Sequence, residues 1–278
     1  MTSGPPESVP VVPAGAPCWI DLATTDERAA QAFYSALFGW TFAARSDPAT
    51  GRYTIASLNG VQVAGMYRAV PHQPAAWTLH LAVRNARTVA NWVTALGGQI
   101  IMQPVDIPGR GTILHVRDPN GAAVVLWQTP DTWQFGTGVP GTFSGTELNT
   151  HDGEAADAFY CRLFGFTSQS IGFGHRMDYT EWRLHETVLH RYVMGPEYPP
   201  RTPAHWIVYL KVDPRIGTDA LARTAQARGG AVMIPPFDTS FGRTAVLADP
   251  AGATFAIIDH AQRVEEWSRA EVDDPYVD

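Results

Sequence analysis

The chain of 278 residues contains an internal repeat, and this repeat limits its fold more strongly than any other feature of the sequence. The segment FYSALFGW at positions 33–40 returns as FYCRLFGF at positions 159–166. The segment DPNGA at positions 118–122 returns as DPAGA at positions 249–253. Repeats that keep their order along a chain are typical of duplicated structural units. The chain is therefore expected to form two domains of one fold.

Each half also repeats a shorter pattern of secondary structure. Residues 19–23 show the alternation of a strand, Asp26 is a candidate helix N-cap, and Gly39 ends the helical pattern. Three short strands follow, and the succession starts again with WTLHLAV at positions 77–83, which returns as WIVYLKV at 206–212. The pattern predicts four βαβββ modules, two in each domain, and an α+β fold.

The repeats also predict the domain boundaries. The first domain is expected at residues 17–135 and the second at residues 142–262. The Gly-, Thr- and Pro-containing segment 136–141 joins them as a linker. Residues 1–16 are expected to form a flexible N-terminal tail, and residues 263–278 an acidic C-terminal tail.

Charge and cysteine content narrow the class of protein. The net charge is −7, and no cluster of Lys and Arg is present, which argues against nucleic-acid binding. The two cysteines, Cys18 and Cys161, cannot form a disulfide framework. No segment has the pattern of a secretion signal or a membrane span. We expect a cytoplasmic monomer or homodimer whose partner is a small molecule.

The motifs resemble those of a known superfamily. The AFY..LFGW helix, the LGG that ends the second helix and the DPxGA turn before the last strand look like the vicinal oxygen chelate superfamily, which includes glyoxalases, bleomycin-resistance proteins and extradiol dioxygenases. The likeness covers about residues 17–262 and is greatest for the two-domain actinobacterial subfamily often labelled "hydroxylase" or glyoxalase-like. It implies two cupped mixed sheets, with helices outside and a small-molecule ligand inside.

Strand alternation predicts which side chains face the first cup. Ile20 and Leu22 are apolar and should pack under the helix, so Asp21 between them faces the other way. The same argument places His80 on that face of the second module. A carboxylate beside an imidazole is a minimal general-base pair, because the carboxylate orients the ring. The alternative is a buried polar pair that only stiffens the sheet.

The second cup has equivalent positions. Alternation assigns Glu147 and Tyr209 to the cup side, and His190 on a neighbouring strand is expected nearby. Glu147 could act as a base while Tyr209 donates a hydrogen bond to a developing oxyanion. The alternative is that Glu147 is a structural acid, since it matches Asp21 in the repeat.

Other residues are candidates for substrate binding. Trp19, Thr78 and Trp127 share the cup-side parity, and the indoles could stack on a flat aromatic ligand. Ordinary sheet packing is the alternative for these rings. Arg110 and Arg243 are expected in loops over the cup mouths, where they could hold an acidic ligand; solvated loop arginines are the alternative.

The resemblance also implies where a metal would be bound. Metal enzymes of the superfamily take ligands from the first and last strands of the modules, and those positions carry no His, Glu or Asp here: they are Trp19, Thr78, Val125, Gly145, Ile207 and Ala256. A divalent metal needs several such ligands that converge. We therefore expect no metal and no other cofactor.

These features favour one function over two others. The first is a metal-independent enzyme, of lyase, isomerase or cofactor-independent oxygenase type. It would use acid/base chemistry on an aromatic or polyketide-like substrate, through isomerisation, ring opening or elimination in natural-product metabolism. The second is a binding protein that sequesters a drug, as in bleomycin resistance. The third is a metal-dependent glyoxalase or dioxygenase, which the ligand positions disfavour. Substitution of the candidate acid/base residues separates the first from the second.

Overall fold

The computed structural model describes residues 12–47, 51–171, 178–196, 198–199 and 201–263. The first half contains, in chain order, β1 (Pro17–Thr24), α1 (Glu27–Phe38), β2 (Thr41–Asp47), β3 (Gly51–Leu58), β4 (Val61–Arg68), β5 (Ala76–Ala82), α2 (Ala86–Ala95), β6 (Gln99–Ile107), β7 (Gly111–Arg117) and β8 (Ala123–Gln128). The second half contains β9 (Phe143–Thr150), α3 (Gly153–Phe164), β10 (Thr167–Ser170), β11 (Tyr179–Leu184), β12 (Thr187–Val193), β13 (His205–Lys211), α4 (Thr218–Ala227), β14 (Ala231–Thr239), β15 (Gly242–Ala248) and β16 (Thr254–Asp259).

Each half forms one mixed sheet of eight strands. The strand order is β2-β3-β4-β1-β5-β8-β7-β6 in the first sheet and β10-β11-β12-β9-β13-β16-β15-β14 in the second. The first strands of the two modules in a half lie at the centre of the sheet and pair antiparallel, as β1 with β5 and β9 with β13. The predicted α+β fold of four βαβββ modules is confirmed.

Local sequence signals set the ends of the helices. The Asp26 side chain accepts a hydrogen bond from the Ala29 amide at 3.0 Å, and Gly39 ends α1 in the left-handed region with φ of 72°. Asp152 and Gly165 do the same for α3, because the repeat preserves both caps. None of the helices in the described ranges is long and apolar enough to cross a membrane.

The predicted tails and linker are described only in part. Residues 1–11 and 264–278 lie outside the described residues. The Gly15 amide donates a hydrogen bond to the Ala82 carbonyl at 2.8 Å, and the Gly141 amide donates to the Lys211 carbonyl at the same distance. The segments before β1 and before β9 thus make equivalent contacts with the central strands β5 and β13.

The two halves meet through their helices and their central strands. Across the boundary of the halves, α1 contacts α4, α2 contacts α3, and β5 contacts β13. One cluster of buried apolar side chains extends through both halves and includes Phe33, Phe159 and Phe255. The helix-covered faces of the sheets therefore share one core, and the opposite faces of the sheets remain for the cups.

The two motifs of the repeat meet at this boundary. The hydroxyl of Tyr34, in the FY motif of α1, donates a hydrogen bond to Asp249 Oδ2 at 3.3 Å and accepts one from Trp77 Nε1 at 3.0 Å. In the other half, the Tyr160 hydroxyl donates to Asp118 Oδ2 at 3.3 Å. Each FY motif is thus hydrogen-bonded to the DPxGA turn of the other half, so the repeat contributes to the domain interface as well as to each domain.

Removal of either tyrosine hydroxyl is expected to destabilise the protein by a similar amount. Tyr34→Phe leaves buried polar groups of Asp249 and Trp77 without that partner, which costs about 1–3 kcal/mol in the free energy of unfolding. Tyr160→Phe should cost about the same, and urea denaturation measures both. Tyr67→Phe is the control, because Tyr67 is a partly exposed residue and its hydroxyl lies 3.4 Å from the Gln73 side-chain nitrogen. Equal losses in all three variants would contradict the prediction.

Candidate functional site

The face of each sheet opposite the helices carries the candidate site residues. We define the first cup by the side chains that β1, β3, β5 and β8 place on this face, which are Trp19, Asp21, Tyr53, His80 and Trp127. We define the second cup on the corresponding face of the other sheet, by the side chains of Glu147, Tyr179, His190 and Tyr209 on β9, β11, β12 and β13 and by the backbone of Gly145.

Asp21 and His80 lie together in the first cup. His80 Nε2 is 2.9 Å from Asp21 Oδ2. The other carboxylate oxygen accepts hydrogen bonds from the Trp19 indole at 3.0 Å and from the Tyr53 hydroxyl. Burial acts to raise the pKa of Asp21, but the charge of His80 and these hydrogen bonds outweigh it, and the pKa is lowered from its ordinary value. Asp21 is thus held as a carboxylate.

The contact with Asp21 uses only part of the hydrogen-bonding capacity of the His80 imidazole. Its Nε2 approaches Asp21 closely but not along a well-directed hydrogen bond, and its Nδ1 has no hydrogen-bond partner among the described residues. Burial, followed by the charge of His80, lowers the pKa of the neighbouring His115 to about 4. His115 is therefore neutral near pH 7.

The first cup is filled by the protein itself. Trp133, in the segment between β8 and β9, packs with its ring centroid 4.4 Å from that of Trp127 and 5.0 Å from that of Trp19. Its indole nitrogen donates a hydrogen bond to the Cys18 carbonyl at 2.9 Å. Trp19 is 1% exposed and His80 is 5% exposed. Trp133 therefore occupies the place where Trp19 and Trp127 were expected to stack on a ligand, and ligand binding by these two residues stays a prediction.

Glu147 is the centre of the second cup. The Tyr209 hydroxyl donates a hydrogen bond to Glu147 Oε2 at 3.4 Å, and Tyr179 and Asn149 also hydrogen-bond to the carboxylate. The Tyr198 hydroxyl in turn donates to the Asn149 side-chain carbonyl at 3.1 Å. Burial raises the pKa of Glu147 above its ordinary value, although the hydrogen bonds oppose this shift. Glu147 therefore takes up a proton more readily than an ordinary glutamate.

His190 lies beside Glu147 in the sheet but directs its ring elsewhere. The two residues are Cα partners across β9 and β12. His190 Nε2 is 3.7 Å from Glu181 Oε2, and the ring centroid is 4.9 Å from that of Phe241. Burial lowers the pKa of His190, so the ring is neutral near pH 7. The structure thus places His190 in the aromatic wall of the cup rather than in contact with Glu147.

The second cup has space where the first has a tryptophan. Gly145 occupies the position that corresponds to Trp19, because Gly145 pairs with Tyr209 as Trp19 pairs with His80. Apart from the chain neighbours Ser144 and Thr146, no described residue has an atom within 4 Å of the place where a Cβ on Gly145 would stand. Glu147 and Tyr209 are partly exposed, unlike their buried counterparts. In the described structure, the second cup is therefore more accessible to a ligand than the first.

Two site residues were missed by the sequence analysis. Tyr53 hydrogen-bonds to Asp21, and Tyr179 hydrogen-bonds to Glu147, so each cup has one such tyrosine. Residues two apart in a strand lie on the same face of the sheet. Tyr53 lies two residues before Ile55, which is in register with Gly65 and through it with Asp21. The same spacing relates Tyr179 to the residue that pairs with His190. Alternation along β3 and β11 therefore places both tyrosines on the cup side of their sheets.

The remaining predicted residues have defined places. Thr78 is the Cα partner of Asp21 across β1 and β5. The Arg110 carbonyl accepts a hydrogen bond from Trp127 Nε1 at 2.7 Å, in the turn between β6 and β7. The prediction for Arg243 is corrected: it lies in β15 rather than in a loop. Its guanidinium is paired with Asp219 at 2.5 Å and with Asp238 at 2.8 Å. The Arg243 guanidinium, which was expected to bind an acidic ligand, is therefore already paired with two carboxylates of the protein.

The family's metal-binding positions do not fit a metal in this chain. They hold an indole, a hydroxyl, aliphatic side chains and a glycine, and these residues are Trp19, Thr78, Val125, Gly145, Ile207 and Ala256. None of these groups is a common ligand of a divalent metal. In the described part of the chain, no group of three or more His, Cys, Asp and Glu side chains is arranged to hold a metal ion.

Comparisons with known proteins identify the family. A family model described as a glyoxalase-like domain matches residues 19–126. The putative glyoxylase CFP32 of Mycobacterium tuberculosis is 36% identical over 256 residues, which cover 89% of this chain and 95% of that protein. The anthracycline biosynthesis protein DauV of a Streptomyces species is 35% identical over 270 residues, which cover 88% of this chain and 93% of that protein.

Solved structures share the fold at low sequence identity. The Mn(II)-bound glyoxalase from Novosphingobium aromaticivorans has a TM-score of 0.62 at 15% identity. The superposition covers 91% of this chain and 85% of the glyoxalase chain. The 2,2',3-trihydroxybiphenyl 1,2-dioxygenase from Sphingomonas wittichii also has a TM-score of 0.62, at 12% identity. Here the superposition covers 92% of this chain and 94% of the dioxygenase chain. From the similarity to these relatives over 88–89% of its length and from its four modules, the chain belongs to the glyoxalase-like family of the vicinal oxygen chelate superfamily, in its two-domain form.

Proposed function

We propose that the protein is a metal-independent enzyme of natural-product metabolism that performs acid/base chemistry on an aromatic or polyketide-like substrate in the second cup. The observation that carries the proposal is the Glu147 carboxyl, which has a raised pKa, two tyrosine hydroxyls as neighbours and open space beside it at Gly145. A carboxyl group whose pKa is moved toward neutrality is suited to proton transfer. Isomerisation, ring opening and elimination all begin with such a transfer.

The geometry suggests how the proton would be handled. As a carboxylate, Glu147 accepts hydrogen bonds from Tyr179 and Tyr209, and these bonds orient it. When Glu147 takes a proton from the substrate, it becomes a weaker acceptor, and the hydroxyls can turn toward the oxyanion that forms on the substrate. Burial also raises the pKa of Tyr209, so it remains a donor through this step.

The walls of the second cup support an aromatic substrate. The ring centroid of Phe241 lies 4.9 Å from that of His190 and 6.1 Å from that of Tyr179, so three rings pack together and one of them, Tyr179, hydrogen-bonds to Glu147. Such rings bind flat, conjugated molecules through stacking and edge contacts. Relatives named for anthracycline biosynthesis support the same class, because anthracyclines contain fused aromatic rings.

Tyr179→Phe is expected to move the pH profile of the reaction. The Tyr179 hydrogen bond lowers the pKa of Glu147, so its loss should raise that pKa further. If Glu147 is the base, activity is lost as pH falls through its pKa, and the acid limb of kcat/KM should shift to higher pH by up to about one unit. Product formation from anthracycline-type compounds, measured by mass spectrometry across pH, provides the profile.

Tyr53→Phe, the equivalent change in the first cup, is the control for this experiment. It should leave the shape of the profile unchanged, because Tyr53 contacts Asp21 and not Glu147. An unshifted profile in Tyr179→Phe, with activity retained, would show that Glu147 is not the base.

A ligand-sequestering protein is the alternative function. The aromatic wall around His190 would serve a binding protein equally well, and such a protein needs no proton transfer. In that case wild-type protein would bind a hydroxylated anthraquinone, with quenching of tryptophan fluorescence, but would convert no compound of this class. Turnover by the wild-type protein would exclude this alternative.

The purified protein is expected to contain less than one equivalent of Fe, Zn, Ni or Mn and to keep its activity in EDTA. The reason is the donor set at the family's metal positions, where Trp19 and Val125 offer no ligand atom. Elemental analysis measures the metal content directly. A stoichiometric metal whose removal abolishes activity would instead support a metal-dependent glyoxalase or dioxygenase.

A further inference from the structure

A serine and a histidine outside the Glu147 network have the geometry of a nucleophile and its base. Ser144 Oγ is 2.6 Å from His260 Nε2, and His260 Nδ1 is 2.8 Å from the Phe241 carbonyl oxygen. A carbonyl oxygen can only accept, so Nδ1 carries the ring proton and Nε2 of the neutral ring is an acceptor. Nε2 therefore accepts the hydroxyl proton of Ser144. A nucleophile, a base and a group that orients the base are all present.

The fold holds both side chains firmly. Phe143 pairs with Leu210 and Gly145 pairs with Tyr209, so Ser144 is the extra residue of a β-bulge in β9. A bulge frees one residue from the regular pairing and can redirect its side chain. His260 directly follows β16, where the buried Asp259 carboxylate accepts a hydrogen bond from the Ala261 amide at 3.0 Å and fixes the turn.

The first half has the same β-bulge but no equivalent of the pair formed by Ser144 and His260. Cys18 is the extra residue between Pro17 and Trp19, and it is 1% exposed with its thiol directed to the His80 carbonyl. Ser144 and His260 are partly exposed instead. Ser144 also precedes Gly145, beside which no described residue other than the two chain neighbours fills the space of a side chain. The accessible hydroxyl and its base are thus features of the second half.

We propose that Ser144, activated by His260, gives this protein an acyl-transfer activity toward small aryl esters. Ser144 Oγ attacks the acyl carbon of the ester while its proton passes to His260 Nε2. The bond from the acyl carbon to the aryl oxygen breaks, and the leaving aryloxide takes that proton. Water then attacks the acyl-serine in the same manner, which releases the carboxylic acid and restores Ser144.

The neighbouring rings point to the aryl ester class. The same Phe241 whose carbonyl orients His260 packs its ring against His190 and Tyr179 in the wall of the second cup. An aryl leaving group can lie along this wall while the acyl carbon approaches Ser144. The activity goes beyond the proton-transfer chemistry proposed for Glu147 and uses different atoms.

Incubation with p-nitrophenyl acetate tests the proposal. Wild-type protein should release p-nitrophenol in a burst close to one equivalent, and peptide mass spectrometry should locate one acetyl group on Ser144. Ser144→Ala should abolish this labelling, and His260→Gln should slow it about 10²-fold or more. Ser144→Cys keeps a nucleophile at the position and should still be acylated. If Ser144 only fixes the ring of His260, the wild-type protein will show no burst.

Matched controls separate the pair from general surface reactivity. Ser46→Ala removes an exposed serine, and His151→Gln removes an exposed histidine that contacts the Thr202 carbonyl. Both variants should be labelled at the wild-type rate. Absence of acylation in the folded wild-type protein, or acetyl groups on lysines with none on Ser144, would overturn the proposal.

Discussion

Glutamine in place of Glu147 is expected to lower turnover about 10²–10⁴-fold, which is the usual contribution of a general base. The amide has the shape of the carboxyl and can still accept the hydrogen bond from Tyr209, so the cup should keep its structure. It cannot take up a proton. Binding of the aromatic substrate should therefore change much less than turnover, and comparison of kcat with the dissociation constant measures the difference.

Asp21→Asn and His80→Ala are the matched variants in the first cup. The sequence predicts a catalytic role for Asp21 and His80, and the structure places His80 Nε2 2.9 Å from Asp21 Oδ2. Because both side chains are buried, with Asp21 8% and His80 5% exposed, we expect their substitution to lower the free energy of unfolding rather than turnover. The contrary result would be a folded His80→Ala protein whose turnover is reduced about 10²-fold while Glu147→Gln stays active. It would show that the reaction takes place in the first cup.

Alanine in place of the partly buried Trp133 is expected to lower the free energy of unfolding by about 3–5 kcal/mol. The change empties the centre of the first cup, where the indole contacts Trp19 and Trp127 and donates to the Cys18 carbonyl. A cavity with apolar walls binds small aromatic molecules. Added indole should therefore raise the melting temperature of Trp133→Ala protein more than that of the wild type.

Trp92→Ala is the control for this experiment, since it removes the same side chain from α2, where it is 58% exposed. Its cost should stay within about 0.5 kcal/mol, and indole should not stabilise it further. Equal losses in the two variants would show that Trp133 does not fill the first cup in solution.

The two halves share one fold, but their cups are lined by different side chains. In the first cup, Trp19 is large and Gly65 leaves room for the hydrogen bond between Tyr53 and Asp21. The second cup reverses this pattern, with a glycine at the position of Trp19 and His190 at that of Gly65. The first cup is packed as a core, and the second keeps polar groups beside open space.

The sequence by itself determined the repeat, the four modules and the face on which the candidate acids and bases lie. These features are local: alternation with a period of two assigns a side chain to one face of a strand, as it did for Asp21 and His80. Helix caps such as Asp26 depend on neighbours within a few residues. Such signals can be found without knowledge of which strands pair.

Only the tertiary structure decided which cup is filled and which groups meet. Trp133 comes from an irregular segment with no periodicity, so nothing local predicts that it enters the first cup. Tyr179 reaches Glu147, and His260 reaches Ser144, through strand pairings far apart in the chain. Arg243 similarly meets Asp219 through the packing of α4 on β15. Contacts of this kind depend on sheet register and on long-range packing, which the alternation of a single strand does not contain.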